Sequence, residues 1–291
     1  MDTQPQTIAG TKIATTRVGF GCGALHHVLP DRRTHLLNAA LDAGIRHFDC
    51  ARMYGNGLAE RAVGVVARSR RAEMTIVSKF GIPANPLLES LPALQWPAKA
   101  IARVARFVVG SQGYAAYPAD RFSAAEADRN LSATLRALCA DRVDVYLLHE
   151  PQLDEANAIC ELGDWAEKQQ RAGKVRAFGL AGNHAVALAT LLAGSPFTTV
   201  IQAPLDWNSR AKPDGATTRA PQILYGVYSY SEPRTGDATH IVREAGTQLA
   251  RVLHSFPFST VLVSTGQHAR IVEAAQTARL VSDGSTRRVR P

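Results

Sequence analysis

The stretch HFDCARMYGN, residues 47 to 56, carries a carboxylate, Asp49, at the end of an apolar run and a phenol, Tyr54, five residues later, with Gly55 and Asn56 directly behind. A buried strand has no use for either group at that place, so both belong to a strand end and its loop. Two further runs carry reactive side chains at their ends, TIVSKF with Lys79 and VDVYLLH with His149. A phenol needs help of roughly 3 pKa units, about 4 kcal/mol, to exchange a proton near neutrality. The Lys79 ammonium would supply part of it by stabilising phenolate, Asp49 would keep that ammonium charged, and His149 could hydrogen-bond a carbonyl oxygen as charge develops on it. Together the four side chains suit carbonyl reduction. Taken singly, each has a plainer reading: a rim tyrosine, an exposed lysine, a structural histidine, an aspartate capping the next helix.

Such a site requires the strand ends to share one mouth. Short apolar, β-branched runs recur at 17–21, 45–49, 75–80, 143–149, 175–181, 199–205, 223–229 and 260–265. They are continuous rather than alternating, as strands buried on both faces must be. Helical patterns fall between them at 32–43, 58–69, 123–142, 154–172, 184–193, 240–254 and 267–278, with Ser123 and Glu126 as a capping box and Leu131, Leu135 and Leu138 on one face. Eight strands alternating with helices predict a (β/α)8 TIM barrel spanning 1–291 as one domain, whose site lies at the carboxyl ends of the strands. Two places break the rhythm. Residues 81–121 form a long insertion after the third strand, read as a lid, in which Ile101, Val104, Phe107 and Val108 could share a helical face. After the sixth strand, 206–222 lacks helical periodicity, which predicts an absent or degenerate helix.

The totals agree with an ordinary globular protein. The 291 residues carry a formal charge of +8, but the basic residues lie in short scattered runs without interleaved aromatics. That reads as solvated surface, not a nucleic-acid face, and would serve a phosphorylated small molecule as well. The four cysteines form no CxxC pair, so neither a disulfide framework nor a zinc site is expected. His26 and His27 have no convergent carboxylate at ligand spacing, which sets aside a metal-dependent hydrolase on the same barrel. No leader and no membrane-length apolar run is visible, so the expectation is a cytoplasmic protein that neither enters a membrane nor binds nucleic acid.

The segments FDCARMYGNGLAERAVG, VSKFG and DRVDVYLLH resemble the Asp-x-Ala-x-x-Tyr-Gly, lysine and histidine motifs of the aldo-keto reductases, and the match runs in register from RVGFGCGAL to about residue 280. The resemblance implies an NADP(H)- or NAD(H)-dependent oxidoreductase passing hydride between nicotinamide C4 and the carbonyl carbon of an aldehyde, ketone or sugar. Tyr54 would be the general acid/base, Lys79 and Asp49 would tune it, and His149 would orient the carbonyl. It also implies cofactor contacts: Asn183 and Gln202 to the carboxamide, Tyr228 with Ser229 beside the nicotinamide ring, and Arg234, Ser264, Thr265 and Arg270 toward the phosphates and adenosine. Ala181 stands where a hydroxyl residue is usual, Ser264 where many NADPH-using members have lysine, and Ala274 where asparagine often reaches the adenine. Arg270 could still fork onto a 2′-phosphate, which keeps NADPH ahead of NADH. LLHEP and the insertion are similar to the aldose and galactose dehydrogenase branch. The alternative is a non-catalytic nicotinamide-binding sensor or accessory protein, against which the retention of all four reactive residues argues.

Overall fold

Two hydrophobic layers organise the chain, and the alternation of side chains along each strand separates them. In the computed structural model, which describes residues 5–91, 117–205, 220–228 and 238–283, eight parallel strands close into a barrel. They are β3 (Val18–Gly21), β4 (His47–Asp49), β5 (Thr75–Phe80), β6 (Val143–His149), β7 (Val175–Ala181), β8 (Val200–Pro204), β9 (Ile223–Tyr225) and β10 (Thr260–Val263), with β10 pairing back onto β3. This is the predicted (β/α)8 barrel, and every expected run contains the strand observed.

Residues of one parity point into the barrel. Val77, Val145, Leu147, Ala177, Ala181, Val200, Ile223 and Leu262 fill it. Residues of the other parity, among them Phe20, Phe48, Ile76, Tyr146, Leu148, Phe178, Leu180 and Ile201, pack outward against the helices. Both faces of the sheet are therefore dry, which is why the runs read as continuously apolar.

Among the described residues the α-helices are α1 (Pro30–Asp42), α2 (Leu58–Arg70), α3 (Pro86–Ser90), α4 (Ala124–Leu138), α5 (Ala156–Glu161), α6 (Gly163–Arg171), α7 (Ala185–Leu191), α8 (Ala238–Ser255) and α9 (His268–Ser282). In α4, Ala127, Leu131, Thr134 and Leu138 make the buried stripe. Its capping box is half formed. Ser123 accepts from the Glu126 amide at 3.3 Å, but the Glu126 side chain turns to Arg129 and Asn130. The expected single helix at 154–172 is instead a 3-10 turn (Leu153–Glu155) followed by α5 and α6, parted at Leu162, whose buried side chain ends one helix and opens the next.

One element was not expected. A two-stranded hairpin, β1 (Pro5–Thr7) and β2 (Ala14–Thr16), precedes the barrel, and Ile8 and Ile13 between its strands plug the barrel floor against the inward-facing layer. Its strands are three residues long and carry no apolar run, so strand periodicity could not find them.

The ends of the insertion are described, and 81–91 contributes α3, capped by Asn85. The rest of it, including Ile101, Val104, Phe107 and Val108, lies outside the described residues, as do Ser229, Arg234 and most of 206–222. Residues 220–222 of that segment are not helical.

Candidate active site

Strand stagger brings the four reactive residues together. Asp49 is level with Val77 on β5, and Lys79 stands two residues above Val77. Lys79 is in turn level with Leu147 on β6, with His149 two residues above it. Each step keeps the side chain inside the barrel while raising it toward the mouth, so three adjacent strands deliver three polar groups to one rim.

Lys79 is the hub. Its Nζ donates to Asp49 Oδ1 at 2.5 Å, to the Cys50 carbonyl at 3.1 Å and to the Tyr54 hydroxyl at 3.4 Å. Both Lys79 and Asp49 are 2% exposed. Burial acts to lower the Lys79 pKa, but the attraction of Asp49, then of Tyr54, outweighs it and the ammonium is held charged above its ordinary range. For Tyr54 the balance falls otherwise. Burial raises the phenol pKa more than Lys79 lowers it, so the phenol is held firmly protonated and is not poised near neutrality as its neighbouring ammonium alone would suggest. The His149 ring meets the Tyr54 ring edge-on at 5.8 Å. Burial, then Lys79 and Arg121, depress the His149 pKa well below the usual value, so its imidazole is neutral at pH 7.

Tyr54 sits in a loop that is tied at both ends. The Arg52 guanidinium, buried at the start of that loop, pairs with Glu60 on α2 at 2.8 Å and with Glu89 on α3. Glu60 is fully buried and also accepts from Ser78 at 2.7 Å and Thr134 at 2.8 Å, so loop, α2, β5 and α4 share one carboxylate. Cys50, buried on the outer face among Ala59 and Val63, has its thiol pKa pushed well up, first by its hydrogen bond with Cys22 and then by burial. It is a packing residue and no nucleophile.

A cavity of about 310 Å3 opens over this cluster, walled by Asp49, Tyr54, Lys79, His149 and Gln202 together with Tyr225, Tyr228 and Ser264. Gln202 gives its Nε2 to Asp49 Oδ2 at 2.9 Å, while its buried Oε1 has no partner. A buried acceptor without a donor is costly, and a ligand amide would satisfy it. Tyr228 is half-buried in the same wall.

Two expected contacts are arranged differently. Asn183 does not line the cavity. It is exposed, and its backbone N and Nδ2 donate to Glu150 Oε2 at 3.2 and 3.4 Å, a carboxylate oxygen that a Cβ on neighbouring Gly182 would approach to 2.4 Å. Ser264 faces the central cavity beside Gly21, apart from Thr265 and Arg270. These two line a separate groove with His27 and Arg32. Thr265 spends its hydroxyl on the Gln267 amide at 3.1 Å, opening α9. Sequence reasoning missed Tyr225, whose hydroxyl reaches Glu150 Oε1 at 3.3 Å, because a tyrosine ending a short apolar run carries no signal of its own.

A family model for the aldo/keto reductase family matches residues 17–205, the part of the chain that holds all four reactive residues. The chain belongs to the aldo/keto reductase family. Among curated members, the aldo-keto reductase YhdN of Bacillus subtilis (strain 168) is 27% identical over 199 residues, covering 67% of this chain and 51% of the relative. D-threo-aldose 1-dehydrogenase of a Pseudomonas species is 26% identical over 191 residues, covering 62% of this chain and 54% of that protein. The chain thus spans about half the length of the curated relatives it matches. A solved aldo-keto reductase from Klebsiella pneumoniae in complex with NADPH shares the fold, with a TM-score of 0.59, 19% identity, and coverage of 92% of this chain and 87% of that one. Among the described residues no helix is long and apolar enough to cross a membrane.

Proposed function

We propose that this aldo/keto reductase is an NAD(P)H-dependent oxidoreductase that reduces the carbonyl of a small aldehyde, ketone or sugar, with Tyr54 as general acid in reduction and general base in the reverse direction. The observation that carries the reading is the hydrogen-bonded run Asp49–Lys79–Tyr54 in the wall of a cavity that also holds an unpartnered buried amide oxygen. The cofactor, when bound, supplies or accepts hydride at its nicotinamide C4. The residues present suit it: Gln202 Oε1 would accept from the carboxamide, Tyr228 offers a ring to the nicotinamide, and Arg270, Thr265 and the opposing Arg32 and His27 form a cationic groove for phosphate.

The chain itself handles the proton and the carbonyl oxygen. A phenol held neutral has its proton in place to give, and the phenolate it becomes lies 3.4 Å from an ammonium that Asp49 keeps charged, which lowers the cost of the transfer. Neutral His149 offers an imidazole N–H to the carbonyl oxygen and adds no charge beside Lys79. NADPH is favoured over NADH by that groove and by the NADPH named for the Klebsiella relative, and a sugar substrate by the D-threo-aldose 1-dehydrogenase likeness. We extend the reading to a single barrel domain.

The test is titration of the protein with NADPH and with NADH by tryptophan quenching, followed by aldehydes, ketones and sugars while reduced-nicotinamide absorbance is recorded. Binding with substrate-dependent absorbance change is expected, tighter for NADPH. Binding without turnover across all three substrate classes would favour the sensor role, and binding of neither nucleotide would overturn both.

A further inference from the structure

Arg121 is as deeply buried as the reactive residues, at 2% exposure, yet it lies outside the cavity wall. Its guanidinium is used on every side. Nε and Nη2 donate to the two carboxylate oxygens of Glu155 at 2.6 and 2.5 Å. Nη2 also reaches the Glu150 carbonyl at 2.9 Å, and Nη1 the carbonyls of His149 at 3.4 Å and Gly81 at 3.5 Å. The rings of Tyr117 and Phe122 stack on it at 4.0 and 4.5 Å.

What these acceptors have in common is their place in the chain. Gly81 follows β5 two residues after Lys79, and the other two carbonyls belong to His149 and the residue after it. At these points the chain leaves the sheet, and strand pairing no longer fixes both sides of the backbone. Gly81 has φ +107°, and a Cβ there would meet Phe122 at 2.4 Å, while Glu150 has φ +50°. Glycine adopts such a φ without strain, but Glu150 is an L-residue in the left-handed region, where an outside hold is needed. Arg121 also closes the two ends of the insertion on each other, Gly81 at its start and itself at its end.

We propose that Arg121 is a positioning residue, a guanidinium clamp on the ends of β5 and β6 that fixes Lys79 relative to His149 in the active site. The proposal rests on the oxidoreductase reading given above. A flat fork with five donors can hold three carbonyls and a carboxylate at once, and lysine cannot. The charged groups facing His149 are Lys79 from β5 and Arg121 from the insertion end. Asp49 lies behind Lys79, Glu150 follows in the chain, and Glu155 neutralises Arg121 from its far side.

The experiment compares Arg121→Met, Arg121→Lys and Glu155→Gln with the full-length protein, reading cofactor Kd, kcat, KM and the His149 imidazole titration by NMR. Arg121→Met should lower kcat roughly 10- to 100-fold through misplacement of the reactive pair while cofactor Kd stays within about twofold. It should also raise the His149 midpoint, because a cation near the ring is gone. Arg121→Lys should return the midpoint but only part of kcat, which separates charge from geometry. Should Arg121→Met fail to fold, Glu155→Gln decides: a smaller fall in kcat at constant Kd supports the clamp. Unchanged kcat in whichever variant folds, whatever the midpoint does, overturns it. A wild-type protein that binds cofactor but turns over no carbonyl would sink the oxidoreductase reading instead, whereas an active wild type whose kcat the variants leave unchanged sinks the clamp alone.

Discussion

Tyr54 and Lys79 stand 3.4 Å apart and depend on each other in different ways. Tyr54→Phe removes a proton and little else, so kcat should fall roughly 100- to 10,000-fold with cofactor affinity and unfolding midpoint nearly constant. Turnover equal to wild type on a good substrate would refute the role of Tyr54. Lys79→Met is a harsher change. It strands Asp49 as a buried carboxylate whose one remaining side-chain donor is Gln202, and should cost about 3–5 kcal/mol in denaturant unfolding as well as activity. A variant as stable as the parent would mean that the ion pair is not buried in solution. The types and spacing of these residues were legible in the sequence because strand ends in a barrel converge. Their electrostatics were not. Whether an ammonium or burial dominates a phenol depends on the desolvation of both, and a sequence carries no dielectric.

At the scale of elements, strands were read well because burial on both faces writes an apolar run in every one of them. Connections were read less well. The Arg52–Glu60 pair, which joins the Tyr54 loop to α2, β5 and α4, consists of charged residues that sequence reasoning consigns to solvent. Glu60→Gln should destabilise the fold by about 3 kcal/mol, since it removes the charge opposite a buried guanidinium. It should also loosen the Tyr54 loop, seen as faster amide exchange at residues 51–57. Protection there identical to wild type would show that Glu89 holds Arg52 sufficiently without Glu60. Arg121 escaped notice for the same reason: an arginine at the end of a polar loop looks ordinary until its carbonyl partners are known.

Taken whole, the molecule has a dry barrel with a polar top and a buried histidine near its floor. His47 is fully buried, bonded through Nδ1 to Thr15 at 2.9 Å, and its pKa is pushed down to about 4, chiefly by burial. The unfolded chain binds that proton near pH 6.5, so stability is complete above 6.5, declines as pH falls toward 4, and is then reduced by about 3 kcal/mol. Urea midpoints measured from pH 7 to 4 should fall accordingly, and His47→Asn should flatten that slope. An equal slope in the variant would assign the acid sensitivity to other groups, with His149 the next to examine because burial depresses it in the same direction.

The inward-facing layer that fills the barrel, with Ile8 and Ile13 sealing the floor beneath it, leaves the site approachable from the mouth, and this has a kinetic consequence. A vessel closed at one end has a single door, so two reactants that share it must enter in sequence, and the one seated deeper is both the first to arrive and the last to go. Steady-state patterns should therefore show compulsory order. Nucleotide product should compete with nucleotide substrate, while the carbonyl product should be noncompetitive against it, and random-order patterns would mean that the barrel mouth admits both partners side by side.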